Sequence, residues 1–268
     1  MLLTLLSHAQ SIASAVALQL LGILGIFFAF GFILSNIQSW TQANYQRSVG
    51  WKGILWTAWI GTPIHELSHV FFAKLFRHKI ATISLFAPNQ ETGGLGHVDH
   101  RYNKRSIYQS VGNFFIGAGP LIGGGAALLS LLYFLLPDGR TIFTTLPYQS
   151  LSVSSFFSSF TKITSQLFTF AHIQSWQFWV FLYLSFCIVS HIAPSPQDRK
   201  GMWQGLIWIV FLLIAGNLLA LPFRINLTAY LLRVNQYLGI FTGLFAYATI
   251  LSMIHWVFSL LLRVLFRK

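Results

Sequence analysis

The residues best placed to do chemistry are His65, Glu66 and His69, in the run Gly61-Thr-Pro-Ile-His-Glu-Leu-Ser-His69. This is an H-E-x-x-H pattern, in which two imidazoles one helical turn apart can share a Zn²⁺ ion. The Glu between them is placed to act as a base on a water molecule. The setting sharpens the signal. Ile54 to Phe76 is otherwise mostly apolar and about as long as a bilayer crossing. Each charge at the centre of such a span costs about 2.5–3.5 kcal/mol, so a cluster there marks a functional site.

Two histidines do not complete a catalytic zinc site, which ordinarily takes three protein ligands. The chain's acidic residues are Glu66, Glu91, Asp99, Asp138 and Asp198. Asp198 follows the Pro-rich run Ala193-Pro-Ser-Pro-Gln at the end of an apolar span. A break there can turn a carboxylate inward, which makes Asp198 the third ligand. The bland alternative is a solvated Asp paired with Arg199 or Lys200.

Composition sets the class. The 268 residues are 55% hydrophobic and only 8% charged, with a mean hydropathy of +0.65. Soluble domains carry about 25% charged residues, so the chain reads as an all-α polytopic membrane protein, one integral-membrane domain over 1–268. The net charge of +12 comes from basic residues flanking apolar spans, and it does not indicate nucleic acid. The lipid bilayer is the implied partner. Cys187 alone cannot form an intrachain disulfide.

About six transmembrane helices are predicted: Val16–Leu34, Ile54–Phe76, Ile107–Leu136, Gln177–Ile192, Leu206–Leu221 and one within Tyr237–Phe266. The stretch 37–52 reads as a polar connection. Ile80–Ala87 and Gly94–His100 read as two strands of a β-hairpin, separated by Pro88-Asn-Gln-Glu-Thr-Gly-Gly. Within 137–175, Phe156, Phe160, Ile163, Leu167 and Phe170 recur at helical spacing. They suit a helix on the membrane surface or one packed on other spans. Ile225–Gln236 reads as a short interfacial helix. Six alternating crossings with the N- and C-termini in the cytosol put the larger share of Lys and Arg inside, including Arg267 and Lys268.

Other polar residues stay open. His191 is an extra ligand, a support for a ligand, an oxyanion donor, or a satisfied group at the membrane edge. Asn113 needs a partner, either a neighbouring helix or a substrate backbone. His97-Val-Asp99-His100 resembles a metal cluster, but on a strand His100 faces away from His97 and Asp99, which favours a plain polar strand end.

HELSH in an apolar helix, a strand pair, Gly117-Ala-Gly-Pro120, and a Pro-rich turn with Asp198 occur in that order. Over about residues 53–201 this resembles the site-2 protease family of intramembrane zinc metalloproteases. The resemblance implies a three-helix core (53–77, 106–136, 176–193) with the hairpin 80–100 beside it. It implies zinc on His65, His69 and Asp198, Glu66 as base, and cleavage of a membrane-anchored protein near the cytosolic side. Asp198 is followed by Arg199 where the family has Gly, Ser190-His191 stand near the place of a family Asn, and no PDZ-like segment is present. The oxyanion-stabilising residue is left unassigned, with His191 and Asn113 as candidates. The rival is a catalytically idle relative acting as scaffold or regulatory subunit of a membrane complex. An ion transporter is disfavoured by the lack of paired broken helices.

Overall fold

The computed structural model describes residues 2–144, 153–233 and 235–266. The chain is mostly helical, with one two-stranded sheet. Helix α1 (Leu2–Ser48) leads directly into α2 (Trp51–Leu75). Strands β1 (Lys79–Ser84) and β2 (His97–Arg101) pair antiparallel, with a bulge between Ile80 and Thr82. Then come α3 (Ile107–Leu135), α4 (Gly139–Thr144), α5 (Val153–Leu167), α6 (Phe170–Gln174), α7 (Trp176–Val189), α8 (Pro196–Ala220), α9 (Leu227–Arg233) and α10 (Asn235–Leu265).

Among the described residues four helices are long and apolar enough to cross a membrane: Ala9–Ser48, Ile107–Leu135, Pro196–Ala220 and Gly243–Leu265. That is compatible with a membrane protein. Two of the expected spans fall outside this set. Helix α2 has 25 residues, but Lys52, His65, Glu66, His69 and Lys74 dilute its hydropathy. Helix α7 has only 14 residues, about 21 Å at the helical rise.

The helix directions differ from simple alternation. Tyr183 meets Trp56 and Trp59, Cys187 meets Gly61, and His191 meets His65, so α7 runs parallel to α2. Asp198 lies at Gly117 and Gly205 at Phe114, so α8 runs antiparallel to α3. Helices α2 and α3 are themselves antiparallel, with Phe76 at Gly112 and Ser68 at Gly123. Helices α7 and α8 therefore point the same way, where two opposed spans were expected. Helices α1 and α10 run parallel, pairing Phe27 with Phe241 and Tyr45 with His255. The described chain thus ends, at Phe266, opposite to Leu2, where both had been expected on one side. Arg224 and Arg233 then fall at the end carrying the hairpin and Arg263 at the other. Arg267 and Lys268 lie outside the described residues.

Two local expectations also change, and one choice left open between the membrane surface and the other spans is decided. Residues 37–48 continue α1, where a polar connection was read. Helix α5 packs in the main core: Ile163 and Leu167 are buried there with Phe178, Phe181 and Phe245 of α7 and α10. Phe170 stays exposed, and the side chain of Phe156 lies outside the described ones. The segment after Leu206 belongs to a helix that already starts at Pro196. Burial of Phe27, Phe30 and Phe245 in one aromatic cluster ties α1 to α10, by the close packing that holds helices together in an apolar solvent.

Candidate metal centre

Three side chains converge between α2 and the start of α8. His65 and His69 lie one turn apart with ring centroids 4.8 Å apart. Their Nε2 atoms are 3.1 Å from each other. Asp198 Oδ2 is 3.4 Å from His65 Nε2, and Oδ1 is 3.1 Å from His69 Nε2. Among the described residues this is the one group of three or more such side chains that could hold a metal ion, its ligand atoms all within 4.8 Å.

The outward nitrogens decide what this convergence means. His65 Nδ1 is 2.6 Å from the carbonyl of His191, and His69 Nδ1 is 2.8 Å from the carbonyl of Ile116. A carbonyl can only accept, so each Nδ1 carries the proton and donates it. In the neutral rings both Nε2 atoms are then bare lone pairs, facing each other and a carboxylate. Such a convergence of acceptors is closed by a cation, either a proton paired with the carboxylate or a metal ion. This carbonyl support of the remote nitrogen is what metal-binding histidines commonly use.

Both supporting carbonyls come from broken helical bonding. Pro120 lies in the interior of α3 and has no N–H. The carbonyl four residues earlier, Ile116, therefore lacks its helical donor and accepts from His69 instead. His191 lies just past the end of α7, where carbonyls are orphaned by the helix terminus. Its carbonyl accepts from His65.

Asp198 corrects the expectation that it sits on an unwound turn. It is helical, in the first turn of α8, and forms a capping box with Ser195. Its Oδ2 accepts from Ser195 N–H at 2.7 Å while Ser195 Oγ accepts from Asp198 N–H at 3.2 Å. The unwound part is the short break 190–195 before it. A side chain at Gly117 would strike the Asp198 carbonyl, so the glycine lets this turn approach α3. Arg199, the candidate ion partner of Asp198, reaches Ser35 Oγ instead, at 3.1 Å.

The three side chains line an open cleft of about 810 Å³. Glu66 is buried to 6% exposure and also lines it. The hairpin forms one wall, with Gly96 against Thr62 and Glu66. Asn113 and His191, left open by sequence, both line the cleft, and Asn113 Nδ2 and His191 Nε2 are buried without a hydrogen-bond partner. Thr62 Oγ1 shares this condition and was not foreseen. Its position one turn before Glu66 was the available signal. Also unforeseen is a polar stripe on α1, Ser35, Gln38, Ser39 and Gln42, which faces the cleft. Its i, i+3, i+4, i+7 spacing was there to read.

The second histidine cluster does not assemble as a ligand set. Asp99 Oδ2 accepts from Thr82 Oγ1 at 2.7 Å, while His100 turns the other way and meets His78, Nδ1 to Nδ1, at 2.9 Å. His78 Nε2–H donates to the Gln109 carbonyl at 2.9 Å. The pair pins the hairpin to the ends of α2 and α3.

The chain matches no protein-family profile, no curated protein and no solved structure.

Proposed function

We infer that the chain is an intramembrane zinc metalloprotease of the site-2 protease kind, cleaving a membrane-anchored protein near the cytosolic side. The observation that carries this is the convergence of two Nε2 lone pairs and the Asp198 carboxylate, with Glu66 beside them in the same cleft. Two imidazoles and one carboxylate are a donor set suited to Zn²⁺ and common at catalytic zinc. Bound there, Zn²⁺ would supply Lewis acidity toward a carbonyl oxygen and acidify water near neutral pH.

The chain's own residues supply the rest. His65, His69 and Asp198 hold the ion, each in a fixed orientation. Glu66 takes the proton of the attacking water and returns it to the leaving amine. Thr62 Oγ1, Asn113 Nδ2 and His191 Nε2 are buried polar atoms awaiting partners, and a substrate's peptide groups would satisfy them. A substrate helix must unwind first, because its amides are shielded by their own hydrogen bonds. The hairpin wall offers backbone groups for the unwound segment. In this reading α2 and the α7–α8 pass are embedded with the other spans, and the hairpin end faces the cytosol.

The test is Glu66→Gln in the full chain, reconstituted with a membrane-anchored reporter. Cleavage should disappear while Zn²⁺ content stays at the wild-type level. Cleavage that survives removes Glu66 from its role. A wild type that holds metal but cuts nothing favours the scaffold alternative.

A further inference from the structure

The break 190–195 supplies the carbonyl that orients His65 and leads into Asp198; Ser190 and His191 N–H still bond back to the Phe186 and Ile188 carbonyls, and the chain then leaves the helix until α8 begins. Two of its backbone groups are held by side chains from α1, and the Ser190 hydroxyl is held from α10, both outside the 53–201 segment. Gln38 Oε1 accepts from Ala193 N–H at 3.2 Å. Gln42 Nε2–H reaches the Ser190 carbonyl at 3.4 Å.

A third hold works through a buried relay. Ser190 Oγ–H donates to the Phe186 carbonyl at 2.6 Å, which uses its only proton. Ser190 Oγ must therefore accept from His255 Nδ1–H, 2.9 Å away. His255 Nε2 is then a bare acceptor and takes the Tyr45 hydroxyl proton at 2.7 Å. Tyr45, His255 and Ser190 are 1%, 1% and 3% exposed, so water does not compete for these bonds. His255 also stacks on Phe186, centroids 4.5 Å apart. With His255 neutral, only one proton arrangement satisfies the whole chain.

We propose that Gln38, Tyr45 and His255 are positioning residues of the metal centre: they clamp the α7–α8 break so that the His191 carbonyl and the Asp198 carboxylate meet the two imidazoles. The first and last long helices are on this account parts of the centre. The inference rests on the metal reading above, and not on proteolysis.

The experiment is Zn²⁺ affinity of the detergent-solubilised full chain, measured by competition with a chromogenic chelator, with the visible spectrum of bound Co²⁺ as a second readout. Tyr45→Phe keeps the ring and removes one proton. It should weaken Zn²⁺ binding about tenfold or more and alter the Co²⁺ bands, as loss of an outer support does. His255→Leu should do the same. His255→Gln can accept from Tyr45 and donate to Ser190, and should stay within about threefold of wild type. Gln38→Ala, at a half-buried site, should weaken binding without unfolding. The proposal is overturned if Tyr45→Phe and Gln38→Ala bind as tightly as wild type, or if His255→Gln is as weak as His255→Leu. A wild type that takes up neither ion would instead overturn the metal reading itself.

Discussion

His69 Nδ1–H donates to the Ile116 carbonyl at 2.8 Å, and that carbonyl is free because Pro120, one turn on, has no N–H to offer it. The proline is thus tied to the imidazole through a backbone oxygen that it does not itself touch. Pro120→Ala gives the carbonyl back its helical donor, which competes with His69. Alanine is about 3 kcal/mol better than proline in a helix interior. Thermal stability in detergent should stay level or rise while Zn²⁺ affinity falls about 10- to 100-fold. Stability and affinity falling together would point to repacking and sink this account.

Asp198 has two duties that can be separated. Asp198→Asn keeps an oxygen for the Ser195 N–H but loses the charge that faces the histidines. Asp198→Ala loses both. Elemental analysis should find metal lost in each. Unfolding of the metal-free proteins should show Ala lower than Asn by about 1 kcal/mol, the usual worth of a helix cap. Full metal content in the Asn variant would strike Asp198 from the ligand set.

Gly96 sets the width of the cleft beside Glu66. A Cβ there would stand 2.9 Å from Thr62 Cγ2 and 3.0 Å from Glu66 Cγ. Gly96→Val should push the hairpin off α2 and cut kcat/KM about tenfold or more, since misplacement of this order is costly. Zn²⁺ affinity should not move, because no ligand or supporting carbonyl lies on the hairpin. Unchanged kinetics would mean the wall is not part of the substrate site.

The His78–His100 contact makes hairpin docking depend on pH. Burial pushes His100 down to about 4, and the neighbouring His78 and His69 add to this while Asp99 opposes it. Burial also lowers His78, against the Gln109 carbonyl that raises it. Above about pH 6.5 both rings are neutral in the folded and unfolded chain, so they add no pH dependence. Between about 6.5 and 4 the unfolded chain binds protons that the docked pair refuses, so stability falls as pH falls. Hydrogen-exchange protection factors at residues 79–101, taken against the intrinsic rate at each pH, should fall across that window. His100→Leu should flatten the response, and an unflattened response would assign it to other groups.

The group of side chains that converges was readable where local signals are strong. His65, Glu66 and His69 follow from spacing alone, and Asp198 from the scarcity of carboxylates. The strand pair was visible in its alternation and its turn. The relative direction of α7 and α8 was not. Pro194 and Pro196 announce a break, but a break in sequence carries no angle, and only packing on α2 and α3 sets it. The continuation of α1 through Gln38 and Gln42 was missed for a related reason. Polar residues there look like a loop until the partners 150 residues on, which they serve, are in view. Thr62 was passed over because a hydroxyl in an apolar helix ordinarily bonds to its own backbone.

Helix α1 has 47 residues, about 70 Å, more than twice the roughly 30 Å of a hydrocarbon layer. Its unbroken apolar stretch stops at Leu34, and Ser35, Gln38, Ser39 and Gln42 directly beyond it line the cleft of the candidate metal centre. The candidate metal centre is therefore bordered by a polar stripe of α1, a surface that water can wet up to the three converging side chains. A cysteine at Ser39 should react with a water-soluble thiol reagent, and one at Leu24 should stay silent.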